Sequence, residues 1–241
     1  SKTLFNEDIS AWDVSNVQNF EGMFRNSAFN QPIGSWDVSS ATTLASVFMD
    51  SAFNQDIGSW NVGAVRDINY MFWNSLFNQS INSWNVSAVT GMGLTFFGSS
   101  SFNQPLNNWD VGSVQTLYGA FGNPHFNQDI SAWNIAAVVD FRFLFNGAWA
   151  FGQDLCLWGT KINASVTETR NMFSATHCPV QSSPNLVSSP KGPFCYACSQ
   201  ICFPDRATLN AAVGADWTDT GTFPYTTYGP ISDWCFDPTL T

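Results

Sequence analysis

Apolar positions return along this chain in a fixed order. Phe5, Phe29, Phe53, Phe77, Phe102, Phe126 and Phe151 recur every 24 or 25 residues, and seven residues after them stand Trp12, Trp36, Trp60, Trp84, Trp109, Trp133 and Trp158. A period of this size reads as stacked supersecondary units, none of which buries its apolar face alone. In the third unit Trp60 and Val62 flank the polar Asn61, the alternation of a short, half-buried strand. Val65, Ile68 and Phe72 follow at spacings of three and four, which predicts one face of a helix about two turns long. The triplet recurs as Val17, Phe20, Phe24; Ala41, Leu44, Phe48; Val89, Met92, Phe96; Val114, Leu117, Phe121; and Val138, Phe141, Phe145. The predicted fold class is an α/β repeat solenoid with a short parallel strand and a short helix in each coil.

Residues 1–178 read as seven such coils. In the seventh, Phe173 stands 15 residues after Trp158 where 12 is the rule, so about three residues are inserted, as terminal repeats are expected to be atypical. Residues 179–226 break the period with Pro and Ser up to Pro193, followed by a short helix, Ala207 to Val213, which Asp205 can cap. From 227 to 241 the pattern restarts: Gly229 to Trp234 parallels Gln31 to Trp36, with Cys235 in the outward position and Phe236 where Val38 stands. Ser1 to Leu4 read as the tail of a coil and Thr241 stops seven residues after Trp234. Such ends suit either a stretch of a longer tandem array or modules that stack head to tail.

Asn6, Asn30, Asn54, Asn78, Asn103 and Asn127 follow the opening Phe. Stacked coil on coil, these amides can form a ladder that satisfies backbone groups; the other reading is a surface for glycans or ice. The Trp row reads as core, in register with inward Val or Ile. Between the inward positions, Asp13, Asp37, Asn61, Asn85, Asp110 and Asn134 face outward as a candidate binding stripe, able to take Ca²⁺ or a polar ligand or simply to be solvated.

Hydrophobic content of 44% excludes a disordered chain. Eight basic against eighteen acidic residues, with no basic cluster, argue against nucleic acid and anionic membranes. No run reaches the roughly 18 apolar residues of a spanning helix. His125 and His177 are the only histidines, and neither belongs to a triad or zinc-enzyme motif. A repeated Asp row is a poor acid–base pair, because catalysis needs two different carboxylate environments. The chain is therefore expected not to be an enzyme and to need no cofactor or resident metal.

Cys156, Cys178, Cys195, Cys198, Cys202 and Cys235 all lie in the last third and predict disulfides in an oxidising compartment. A rival is a zinc site on the run Cys195, Cys198, Cys202. Pairing is left open by the sequence; with Cys235 in the cap, Cys156 and Cys178 would pair inside the seventh coil. Asn78, Asn85 and Asn163 open N-x-S sequons, candidates for glycosylation in a eukaryotic source, Asn78 least so because it belongs to the ladder.

The strings FNQDIGSWNVGAV (Phe53 to Val65), FNEDISAWDVSNV (Phe5 to Val17) and FNQDISAWNIAAV (Phe126 to Val138) resemble the BspA-like leucine-rich-repeat surface proteins of bacteria and marine microalgae. The closing strings DLCLWG, THCP and GPFCYAC look like the cysteine-bearing end of the algal members. The resemblance implies a curved, leucine-rich-repeat-like solenoid with a disulfide-rich C-terminal cap, secretion or cell-surface display, and adhesion or extracellular structure. The leading expectation is a structural or adhesive module assembled with itself or sister modules. The alternative is recognition of extracellular glycans or proteins by the outward stripe.

Overall fold

The computed structural model describes residues 3–163, 165–166, 168–188, 191–198, 201–203 and 234–236, the last two by backbone alone. The chain divides into two compact units, Ser1–Ala197 and Cys198–Thr241. In the second, β1 (Ile201–Phe203) pairs in parallel with β2 (Trp234–Phe236), Cys202 opposite Cys235. The expected helix at 207–213 and most of the expected eighth coil lie outside the described residues.

The first unit is a stack of repeated coils, but the expected α/β architecture is overturned. Among its described residues the single helix is α1, Trp158–Lys161, and no strand occurs. α1 falls where the seventh coil carries its insertion. Elsewhere each coil is built from tight turns, joined to its neighbours by isolated parallel bridges that run Asn19, Thr43, Asp67, Gly91, Thr116, Asp140, Glu168.

The third coil shows why three-and-four spacing did not produce a helix. Met71, Trp73 and Ser75 N–H groups donate locally to Ile68, Tyr70 and Phe72 carbonyls at 3.1–3.2 Å. The intervening amides of Ile68, Tyr70, Phe72 and Asn74 donate instead to Gly91, Gly93, Thr95 and Phe97 of the next coil at 2.8–3.0 Å. A helix would use every one of these amides within itself. Tyr70 and Asn74, four residues apart, are left-handed at φ 58° and 51°, the third position of turns that require φ above zero. The same pair recurs as Gly22 and Asn26, Ser46 and Asp50, Leu94 and Gly98, Phe143 and Gly147, and Asn171 and Ala175. A turn repeating every four residues thus places apolar side chains at nearly the helical period.

This geometry reverses the sign of a routine substitution. Gly98 sits at φ 68°, and an added Cβ would make only ordinary contacts, 3.6 Å or more, with Asn74. In a helix Gly98→Ala would gain about 1 kcal/mol; here it is expected to lose about 1–2 kcal/mol from left-handed strain, read from urea unfolding midpoints.

The Trp-x-Val segment kept its alternation and lost its ladder. Trp60 and Val62 are 4% and 2% exposed while Asn61 is exposed. Trp60 N–H closes a turn onto Ile57 O and Val65 N–H closes the next onto Val62 O, which leaves too little chain between them for strand pairing. The indole makes the inter-coil bond instead. Trp60 Nε1 donates to Ile33 O at 3.0 Å, Trp84 to Ile57 at 3.0 Å, Trp109 to Ile81 at 2.9 Å and Trp133 to Leu106 at 3.0 Å.

Side-chain oxygens hold the remaining turns. Asp13, Asp37, Asp56, Asp67, Asn85, Asp110 and Asp140 each accept the backbone N–H two residues on, the turn that Asx side chains favour. Buried Ser27, Ser51 and Ser75 accept from Phe29, Phe53 and Phe77 N–H in the same way.

The core consists of three aromatic rows. Trp60, Trp84, Trp109 and Trp133 stack at 6.4–6.5 Å, nearly parallel. Phe48, Phe72, Phe96 and Phe121 follow one another at 5.5–5.8 Å, and each packs on the opening Phe of the following unit at 3.9–4.3 Å. After the seventh coil the chain folds back over it. Cys178 is bonded to Cys195, Val180 N–H donates to Cys195 O, and Leu155 N–H donates to Phe194 O.

Candidate functional site

The six outward residues Asp13, Asp37, Asn61, Asn85, Asp110 and Asn134 are all exposed and fall at equivalent places on successive coils. They lie on turn-to-turn links rather than on a sheet surface. In each, Oδ1 accepts the N–H of residue i+2, namely Ser15, Ser39, Gly63, Ser87, Gly112 and Ala136, at 3.0–3.2 Å. One oxygen per residue is thereby committed to the coil's own backbone. Among the described residues, no group of three or more His, Cys, Asp or Glu is placed to hold a metal ion.

These turns leave an electrostatic signature. Hydrogen bonds from the Ser15 side chain and then its backbone hold Asp13 below the ordinary carboxylate value, and Ser39 does the same for Asp37. The backbone N–H of Ser10 lowers Asp8. Burial alone would raise Asp140, but the bidentate Arg142, with contacts of 3.0 and 2.8 Å, brings it below the ordinary value. A folded carboxylate with a depressed pKa binds fewer protons than the unfolded one, so its stabilisation is present above the unfolded value and is lost as pH falls through the folded value. Melting temperature is therefore expected to decline on acidification below the reference pH of 3.8. Asp37→Asn should leave neutral melting unchanged, because Asn61 and Asn85 make the same turn, and should remove that residue's share of the acid loss.

The amide ladder is present, with Asn30, Asn54, Asn78 and Asn127 half-buried and Asn6 and Asn103 exposed rather than buried. Asn6 Oδ1 accepts Asn30 N–H at 2.8 Å, and the pattern continues through Asn54, Asn78, Asn103 and Asn127 to Gly152 N–H. Gln Nε2 groups of the next coil add a second donor to the same Asn, as Gln79 does to Asn54 and Gln104 to Asn78, both at 3.1 Å. Of the sequons, Asn78 is therefore held by the ladder. Asn85 and Asn163 are exposed, though Asn163 Nδ2 also donates to Ala136 O at 3.1 Å.

Cys178 pairs with Cys195, which overturns the expected Cys156–Cys178 pairing and removes Cys195 from any zinc set. Cys156 and Cys198 are disulfide-bonded as well. Side-chain facts for Cys202 and Cys235 lie outside the described residues. Disulfides of this kind suit an oxidising environment. No helix among the described residues is long and apolar enough to cross a membrane.

Three features had no periodic signal in the sequence. Arg142 lies over the Tyr118 ring at 5.3 Å and Arg170 over Phe143 at 5.9 Å, a cation–π row on the outer turn face. Lys161, its pKa lowered by burial, donates to the carbonyls of Ser131, Ala132 and Trp133 at 3.0–3.3 Å. Gln181 and Ser183 face the last coil.

The family model described as "Mycoplasma protein of unknown function, DUF285" matches residues 1–92 and 74–183. No curated protein and no solved structure matches the chain. The two matched stretches span most of the sequence and all seven coils of its first unit, and the chain belongs to this family.

Proposed function

We propose that this DUF285 chain is a non-enzymatic structural or adhesive repeat module that works outside the cell, of the kind that BspA-like surface proteins carry. The observation that carries the reading is where the repeated polar groups go. The Asn, Gln and indole groups are spent on the neighbouring coil, and the outward Asp and Asn on their own turns. Carboxylates repeated in equivalent turns make a poor acid–base pair, because catalysis needs two different environments. The disulfides support an extracellular or otherwise oxidising location. The partners in this reading are itself or sister modules.

A second reading, recognition of glycans or proteins by the outward row, is favoured by one fact: all six residues are solvent-exposed and aligned. Loss of binding on an extracellular glycan array in Asp37→Ala plus Asp110→Ala would support it. The primary reading is tested on intact source cells with a membrane-impermeant label and a thiol count. Surface labelling with Cys178 and Cys195 oxidised is the expected result; a protected protein with free thiols would refute it.

A further inference from the structure

The chain carries N-x-S sequons at Asn78, Asn85 and Asn163, and the fold treats their amides in three different ways. A bulky, hydrated sugar is compatible with a finished fold only where the amide nitrogen faces solvent and no neighbour depends on it. Asn78 is half-buried in the ladder. Its N–H donates to Asn54 Oδ1 at 2.8 Å, and its own Oδ1 accepts Asn103 N–H and Gln104 Nε2, both at 3.1 Å. A sugar there would have to part the coils. Asn163 is exposed, but its Nδ2 donates to Ala136 O of the preceding coil at 3.1 Å, so a sugar on that nitrogen would crowd the coil it is bonded to.

Asn85 differs from both. It is exposed on the outward row, and its carboxamide is held by the oxygen: Ser87 N–H donates to Oδ1 at 3.2 Å and the Ser87 hydroxyl donates to the same atom at 2.7 Å. Among the described residues its Nδ2 donates no hydrogen bond. The turn thus fixes the plane of the amide, places the hydroxyl that the sequon requires against it, and leaves the nitrogen free. The coil itself does not need Asn or Ser at these places. Asp37 and Asp110 close the same turn two coils earlier and one coil later, and Ala136 stands in the sixth coil where Ser87 stands in the fourth.

We infer that Asn85 carries an N-linked glycan and that Asn78 and Asn163 do not. This rests on the extracellular part of the proposed function, because the modification belongs to secreted proteins of eukaryotic cells. The donor is a glycan linked to a lipid pyrophosphate. Asn85 Nδ2 forms a bond to the anomeric carbon and gives up one proton, the anomeric carbon–oxygen bond breaks, and the lipid pyrophosphate leaves with the electron pair. Transfer acts on the emerging chain, and the fold then filters its products: a sugar on Asn85 displaces no contact between coils. The glycan stands between Asn61 and Asp110 and interrupts the outward row as a ligand surface, which favours the structural role over recognition by that row.

Glycopeptide mass spectrometry on the protein taken from the surface of its source cells is the test. Enzymatic glycan release in heavy-oxygen water should turn Asn85 into labelled aspartate and leave Asn78 and Asn163 as they are. A bare Asn85, or a glycan on Asn78 or Asn163, in oxidised surface protein would overturn the inference and leave the location standing. A protected protein with free thiols would sink both. Secreted from a eukaryotic host, the full chain should also run heavier than its enzymatically deglycosylated form. Asn85→Asp and Ser87→Ala should each lose that difference completely while keeping the urea midpoint of the deglycosylated parent, since residues of these types close the same turn in other coils. Ser87→Thr should retain the difference. A mass difference that survives Asn85→Asp would overturn the assignment.

Discussion

Trp84→Ala is expected to cost about 3–5 kcal/mol, whereas Trp12→Ala, at the same repeat position, should cost under about 1 kcal/mol. Trp84 is 3% exposed, donates to Ile57 O at 3.0 Å, and stacks between Trp60 and Trp109 at 6.4 and 6.5 Å. Its truncation leaves a cavity shared by three coils and removes the indole donor from Ile57 O, which keeps only the Trp60 N–H of its own turn. Trp12 is 54% exposed. Two residues equivalent in sequence therefore separate by neighbour alone, as nearest-neighbour coupling in a repeat array requires. Denaturant unfolding of both variants checks this; similar losses would show that the indole's own coil, not its neighbour, supplies the stability.

Asn54→Ala is expected to cost about 1–3 kcal/mol, because it strands a backbone donor rather than merely removing a bond, while Gln79 Nε2 keeps Asn54 O as acceptor. Asn54 Oδ1 receives Asn78 N–H at 2.8 Å and Gln79 Nε2 at 3.1 Å. Without it the Asn78 amide, half-buried between coils, has no acceptor in the structure. Asn54→Asp retains an acceptor and should recover most of the loss at neutral pH. Urea midpoints for the two variants give the comparison; an Ala variant equal to wild type would mean that water serves the ladder equally well.

How much of this was legible in the sequence depends on what each residue does. The Phe and Trp rows and the Asn ladder were readable because burial and stacking repeat with the coil, so the period itself reports them. Outward Asp37 and Asn61 were readable from alternation, but the turn that each closes by a bond from the i+2 N–H to Oδ1 was not. The helix at Val65, Ile68 and Phe72 failed because apolar spacing does not distinguish a period of 3.6 from repeated four-residue turns. The discriminating signal was present but faint: Gly, Asn, Asp or Ser at several of the positions equivalent to Tyr70 and Asn74, residues tolerant of φ above zero. The contacts of Gln181 and Ser183 with the last coil were unreadable, since these residues act once and outside the period. Pairing of Cys178 with Cys195 was hidden for the same reason, because it depends on how the chain folds back over the seventh coil.

Through-hydrogen-bond scalar couplings in a deuterated, isotope-labelled sample test the turn-built, coil-to-coil architecture most directly. The amide nitrogens of Tyr70, Phe72 and Asn74 should couple to the carbonyl carbons of Gly93, Thr95 and Phe97, one coil away. Coupling of the Phe72 amide to the carbonyl of Ile68, four residues back, would contradict it and restore the helix.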